Sequence, residues 1–313
     1  MIVERAPGEP PEHGAAVTIG AYDGVHLGHR KVLALVRELA DARGLEAALV
    51  TFDRHPATVV RPESAPKLLT TLDEKLELLD ALGLLDRVMV LEFDKDRSEE
   101  SAEAFVREVL VGGLRAKVVV VGEDFHFGHR RRGNVALLQH MGTELGFEVV
   151  GLNLVAPGDD PAREPYSSTR IRELLAEGDV AAAAALLGRA YAVRGPVVAG
   201  DRRGRDLGYP TANIEVAPDV CLPAEGIYAG VLVDPEGVER LAAISYGRRP
   251  TFEPDDARPL LEAHVLDFAG DLYGAQVELR FVQRLRGEVR FDSADALIEQ
   301  MERDITDTRR LLS

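Results

Sequence analysis

The stretch Thr18-Ile19-Gly20-Ala21-Tyr22-Asp23-Gly24-Val25-His26-Leu27-Gly28-His29-Arg30 decides how the chain reads. An apolar run of Ala15, Ala16, Val17 and Ile19 leads into it, the length of a short buried strand. Residues 31–43 follow, with Val32, Leu35, Val36 and Leu39 at helical spacing and Gly44 as a stop. Strand, glycine-rich turn and helix start in succession aim backbone N–H groups and the positive end of a helix dipole at one point, where an anion can sit. His26 and His29 add two side-chain donors there, and Gly20, Gly24 and Gly28 permit close backbone approach. The stretch is read as a nucleotide-phosphate site.

Outward from it, strand-like and helix-like segments alternate. Residues 46–52 form a strand, and Thr71 to Glu74 has the form of a capping box opening a helix that stops at Gly83. Residues 87–93 are a strand, Ser101 caps a helix to about Leu110, and 116–122, with four valines in a row, is the strongest buried-strand signal. A helix over 135–145, a strand over 147–155 and a helix over 172–187 complete the series. This alternation predicts an α/β fold with a doubly wound parallel sheet, whose ligands collect at the carboxyl ends of the strands. Segments 20–29, 52–56, 122–128 and 167–172 all follow apparent strands and can share one cleft.

After Leu187 the texture changes. Strand-like segments over 195–199, 211–216, 227–233, 241–245, 261–268 and 277–281 succeed one another without long helices between them. They predict a small antiparallel barrel, which closes its own edges, followed by an amphipathic helix over 293–311. The expected domains are 1–187 and 188–313.

Composition narrows the field. The chain has 313 residues, 46% hydrophobic and 29% charged, with a formal net charge of −16 and no basic stripe to offset it. That balance argues against nucleic acid or an anionic membrane surface as a partner. The single cysteine, Cys221, fits a reducing, cytoplasmic setting. The acidic, proline-containing N-terminus does not read as a signal peptide, and the longest apolar run, 180–187, is too short to span a bilayer. Oligomeric state is left open.

Two local patterns carry chemistry. The letters His-x-Gly-His are short and recur at His126-Phe127-Gly128-His129, but there a polar loop of Arg130, Arg131 and Arg132 follows. Context therefore favours the copy at His26, and no third ligand at suitable spacing makes either copy a metal site. The second pattern, Tyr166-Ser167-Ser168-Thr169-Arg170-Ile171-Arg172, combines helix-capping hydroxyls with arginines in the first turn. It reads as a plain cap or as a clamp for a triphosphate tail.

Together with Thr51 to Pro56 and Gly122 to Gly128, these patterns resemble the adenylyltransferase half of bacterial bifunctional riboflavin kinase/FAD synthetases. Gly200 to Asn213, Arg249-Pro250-Thr251-Phe252, Glu262-x-His264-x-Leu266-Asp267-Phe268 and Asp271 to Gly274 resemble its kinase half. The resemblance implies FMN and ATP giving FAD and pyrophosphate in the first domain, with His26, His29 and Arg172 in catalytic roles. Gly20, Asp23, Gly24, Gly28, Ser167, Ser168 and Thr169 would lie on the nucleotide, with Asp124 and Phe125 on the flavin side; core packing is the competing reading of that phenylalanine. In the second domain it implies ATP-dependent phosphorylation of riboflavin, with Glu262 as base and Gly204, Arg205 and Gly208 in a loop over the ATP phosphates. Thr211 and Asn213 would be oxygen ligands of Mg²⁺. Ala21, Arg54, Asn134 and Ser245 depart from the family's common residues. The rival readings are an enzyme with one working half and a non-catalytic flavin or nucleotide sensor.

Overall fold

The computed structural model describes residues 1–6, 8–153, 165–200, 208–247 and 259–313. The chain divides into two compact units, Met1–Ser168 and Thr169–Ser313.

The first unit holds a six-stranded parallel sheet. Its strands are β1 (Ile2–Glu4), β2 (Ala15–Ile19), β3 (Glu46–Phe52), β4 (Arg87–Leu91), β5 (Ala116–Gly122) and β8 (Glu148–Leu152), in the order β1-β4-β3-β2-β5-β8. The valines of β5 show why it is doubly wound. Val118 and Val120 join one core with Leu33, Val36 and Leu79 from helices α1 (Leu27–Arg43) and α2 (Leu72–Leu82). Val119 and Val121 join the other with Phe105, Val106, Leu138 and Met141, from α3 (Ala102–Phe105), its continuation in wide π-type turns over Val106–Gly113, and α4 (Val135–Leu145). Alternate side chains point to opposite faces, so a strand buried on both reads as a continuous apolar run. The strand order reverses between β2 and β5, and a crevice opens at such a switch point.

Three elements differ from the sequence expectation. α1 starts at Leu27, not after Arg30, because His26 caps it: its Nδ1 accepts the His29 backbone N–H at 3.2 Å. The helix expected over 172–187 is two, α5 (Ser168–Glu177) and α6 (Val180–Leu187). Gly178 breaks it at φ +81°, a conformation costly to residues with a Cβ, and Asp179 caps α6 through Ala182 N–H at 2.9 Å. The short strand β1, paired parallel with β4, had no clear signal in three residues.

The second unit is a closed antiparallel barrel of β9 (Tyr191–Val198), β10 (Ala212–Ile214), β11 (Gly226–Val233), β12 (Glu239–Gly247), β13 (Leu260–Val265) and β14 (Gln276–Arg286). Its interior is filled by residues such as Val193, Val197, Ile214, Tyr228, Ile244, Ala263, Leu279 and Phe281. The last helix, α7 (Ala294–Leu312), packs on β11 and β12 and is tied by Arg286 to Asp304 at 2.8 Å. The units divide at Ser168, ahead of the boundary expected near Gly188, because α5 and α6 pack on the barrel. α6 lies against β9 and β14, Ala224 N–H donates to Leu175 O at 2.8 Å, and Arg284 donates to Glu177 O at 3.1 Å. Among the described residues no helix is long and apolar enough to cross a membrane.

Candidate active sites

At the switch point of the first unit, the ends of β2 and β5 border a cleft of about 270 Å³. Gly20, Asp23, His29, Gly122, Asp124 and Ser168 are among its lining residues. The turn between β2 and α1 is strained: Tyr22 (φ +51°) and the β-branched Val25 (φ +40°) are both left-handed. Such backbone persists where the surroundings over-determine it, commonly at ligand sites. Here the brace is Asp23, 6% exposed, whose carboxylate accepts from Leu69 N–H at 3.0 Å and Thr70 N–H at 3.1 Å. Gly24 N–H donates to Thr70 Oγ1 at 3.1 Å and Gly20 N–H to Val50 O at 3.0 Å. Those amides therefore serve the turn itself. The ends that helix geometry leaves without intrahelical acceptors are the first amides of α1, at Leu27 and Gly28.

The two histidines form one object. Their rings stack with centroids 3.5 Å apart and 16° between planes, and the Tyr22 ring lies 4.5 Å from that of His29, tilted by 31°. Because His26 Nδ1 accepts the capping hydrogen bond, the proton of neutral His26 sits on Nε2. His29 is held well below the usual imidazole range by burial first, then by His26 and by Lys75. Its Nδ1 is buried and has no hydrogen-bond partner among the described residues. His29 thus faces the cleft uncharged, one donor and one acceptor rather than the cation a histidine pair first suggests.

The structure joins the two predicted nucleotide motifs. Gly28 lies so close to the chain after residue 164 that a Cβ there would meet Tyr166 Cβ at 2.8 Å. Ser168 Oγ donates to Asp23 O at 2.9 Å, and Ser167 beside it is half-buried. Thr169, exposed, and Arg172, half-buried, follow on α5 and belong to the second unit. On the β5 side Asp124 is exposed at the cleft, while half-buried Phe125 stacks on Phe127 at 5.4 Å and packs against the core. The second His-x-Gly-His copy is built differently. Strand β6 (His126–Phe127) pairs with β7 (Gly133–Asn134) in a small hairpin, and His129 opens a short 3-10 turn with its Nδ1 3.2 Å from Ser98 O. Asn134 then caps α4 by accepting Leu137 N–H at 2.9 Å, the task an aspartate performs at such a position.

One residue of this cleft escaped the sequence reading. Lys75, 7% exposed, donates from Nζ to Ala21 O at 3.2 Å, Thr51 Oγ1 at 3.1 Å and Phe52 O at 3.0 Å. Its signal was present: Leu72, Lys75, Leu76 and Leu79 keep the i, i+3, i+4, i+7 spacing of a buried stripe, with a charge at one position.

In the second unit, strand register assembles the other site. Asn213 pairs with Glu262, and Glu262 with Ser245. Directly opposed residues share a face. Along β13 burial alternates, with Leu261, Ala263 and Val265 inside and half-buried Glu262 and His264 outside. The row Asn213, Glu262, Ser245 therefore runs across the outer face of the barrel. Thr211 Oγ1 donates to Glu262 Oε1 at 3.0 Å, so a hydroxyl is tied to the carboxylate that register sets opposite the Asn213 amide. His264 Nδ1 donates to Pro210 O at 2.9 Å and Tyr209 packs edge-on to that ring at 5.6 Å, fixing the entry to β10. Gly208 is exposed with φ +88°. Gly204, Arg205 and the segment Arg249 to Phe252 lie outside the described residues. A second carboxylate, unforeseen from sequence, stands beside the row: Ser245 Oγ donates to Glu288 Oε1 at 3.5 Å. Burial pushes the Glu288 carboxyl up, Arg286 opposes this, and Glu225 and Glu262 add to the rise. Sequence spacing offers no pointer to it, since it follows β14 in chain order.

The chain matches the family model described as FAD synthetase over residues 9–169 and the one described as riboflavin kinase over residues 187–312. It is 39% identical over 302 residues to a bifunctional riboflavin kinase/FMN adenylyltransferase of Pseudomonas fluorescens, covering 96% of this chain and 94% of that one. It is 38% identical over 292 residues to the protein of that name in Haemophilus influenzae, covering 93% of this chain and 92% of its relative. Among solved structures, one from Streptococcus pneumoniae described as a macrolide-efflux protein superposes with a TM-score of 0.84 at 28% identity, covering 98% of each chain. With an adenylyltransferase half first and a kinase half second, the chain belongs to the family of bifunctional riboflavin kinase/FMN adenylyltransferases.

Proposed function

We propose that the barrel row phosphorylates riboflavin and that the switch-point cleft adenylylates the resulting FMN. Residues 1–187 would serve the second step and 188–313 the first, with α5 and α6 as packing elements of the barrel. What carries the reading is the presence in one chain of two candidate phosphate sites with opposite acid–base character.

In the barrel the attacking group is a neutral ribityl hydroxyl. Its oxygen forms a bond to the γ-phosphorus of ATP, the bond to the bridging oxygen breaks, and ADP leaves. The hydroxyl proton needs an acceptor, and Glu262, held by Thr211, is that base. Thr211 and Asn213 offer hard oxygens beside it, a donor set that fits Mg²⁺ held by few protein atoms and by phosphate and water for the rest. When bound, Mg²⁺ neutralises charge on the phosphates. Gly204, Arg205 and Gly208 are assigned to ATP by resemblance.

In the cleft the nucleophile is the FMN phosphate, already an anion near neutral pH because its second pKa is about 6. Its oxygen bonds to the α-phosphorus of ATP and pyrophosphate departs. No base is required; charge compensation is. The opening amides of α1, His26 and His29 supply neutral donors, Ser168 ties the start of α5 to the turn through the Asp23 carbonyl, and Thr169 and Arg172 are assigned to the triphosphate by resemblance. Asp23 and Gly24 shape the turn, and Phe125 is read as wall more than stacking partner. A cytoplasmic location agrees with the dependence on ATP. The efflux description belongs to the structural neighbour.

Purified protein given riboflavin, ATP and Mg²⁺, with products resolved by chromatography, tests the proposal. FMN followed by FAD is expected. FMN alone would leave one working head, and neither product would overturn the reading.

A further inference from the structure

Lys75 stands out because its environment does not match its charge. All three donors of its ammonium go to neutral acceptors: the carbonyls of Ala21 and Phe52 and the hydroxyl of Thr51. Thr51 Oγ1 in turn donates to Ala21 O at 3.2 Å, so the three groups form a closed knot between the ends of β2 and β3. A knot of that kind needs hydrogen bonds, not a charge, and a buried ammonium without a counter-ion is unfavourable. The titratable groups around it are Asp23 in the turn, Asp53 after β3 and His29 on α1. Both carboxylates have other work. Asp23 accepts from Leu69 and Thr70, and Asp53 from Phe93 N–H at 2.9 Å and from Arg54 at 2.8 Å.

The counter-charge that this site lacks is the phosphate tail of its substrate. Ala21, whose carbonyl Lys75 grips, lines the cleft. We infer that Lys75 is a positioning residue for adenylyl transfer, one that fixes the turn by its hydrogen bonds and places a buried positive charge behind the backbone against which ATP phosphates bind. The inference rests on the adenylyl-transfer reading of the cleft. Burial pushes the ammonium down to about 8, with Asp23 and Asp53 pulling it back up. The free site therefore loses its charge as pH rises through that value, while His29 stays neutral throughout.

The experiment is the pH dependence of kcat/KM for ATP in FAD formation from FMN, from about pH 7 to about pH 9.5, which reports ionisations of the free enzyme. The wild type should fall about tenfold per pH unit above about 8. Lys75→Met should start at least about tenfold lower at neutral pH and run flat, since there is nothing left to titrate. Asp53→Asn keeps the ammonium but removes a charge that raises its pKa, so the break should move to lower pH. It also decides the matter if Lys75→Met does not fold, as judged by thermal unfolding. A wild type without the alkaline limb overturns the inference, as does a folded Lys75→Met that retains the limb, or an Asp53→Asn whose break stays put. A wild type that makes no FAD at any pH overturns the reading of the cleft itself. Riboflavin phosphorylation by the same preparations, expected unchanged in both variants, separates the two failures.

Discussion

At the end of β2 the structure gathers helix-opening amides, stacked imidazoles and a buried ammonium; on the outside of the barrel it gathers a hydroxyl, an amide and a carboxylate. On the proposed reading both sites take ATP, yet only the barrel row sets a carboxylate beside a hydroxyl and an amide. In the cleft, the carboxylate of Asp23 is engaged by backbone N–H groups and cannot serve as a base. The contrast follows from the nucleophile. An alcohol must lose a proton to attack, and a phosphate monoester has already lost it.

Substitutions can break that contrast or sharpen it. The largest effect is expected from Glu262→Gln, which keeps the shape and removes the base. Riboflavin phosphorylation should fall by about 10²–10⁴-fold while FMN-to-FAD conversion in a separate assay is unaffected. A comparable loss in both assays would mean the sites are not independent. Next comes His29→Ala, with FAD formation down by about 10²-fold and FMN formation unchanged. His129→Ala is its control, expected within about twofold of wild type because its ring sits against Ser98 and outside the cleft. If the two histidine variants lose equally, context has picked the wrong copy.

Smaller effects probe packing. Gly28→Ala forces a methyl group against Tyr166 and should cost about 1–3 kcal/mol, lowering the thermal midpoint and FAD formation together. A variant as active and as stable as wild type would show that the two motifs need not touch. Gly178→Ala, at a left-handed position between α5 and α6, should cost about 1–2 kcal/mol in thermal unfolding with both kcat values unchanged.

How much of this was legible depended on whether a signal was local. The parallel sheet and the barrel followed from spacing, because valines on a two-faced strand and alternation on a half-buried one are properties of neighbouring residues. The capping box at Thr71 was legible for the same reason, and both of its hydrogen bonds form. His26 as a cap was not, since imidazole is absent from the usual capping residues and takes the role only because the turn aims Nδ1 at the His29 amide. The break at Gly178-Asp179 carried a turn signal, masked by the apolar residues on either side. Spacing marked Lys75 as a charge on a buried stripe but not what it touches, and it gave no pointer to Glu288. What buries each is a contact with distant parts of the chain: Thr51 and Phe52 for one, Ser245 for the other.

The outward row of the barrel has a practical corollary. Glu262 and Ala263 are neighbours in sequence, yet one stands in the proposed reactive row while the other fills the interior. On that reading heat tolerance and turnover are written on opposite sides of the same strands, and an engineer can redesign the filling of the barrel without editing its outer row. The same geometry makes the strand intolerant of single-residue insertions, which would turn Glu262 inward and Leu261 and Val265 outward.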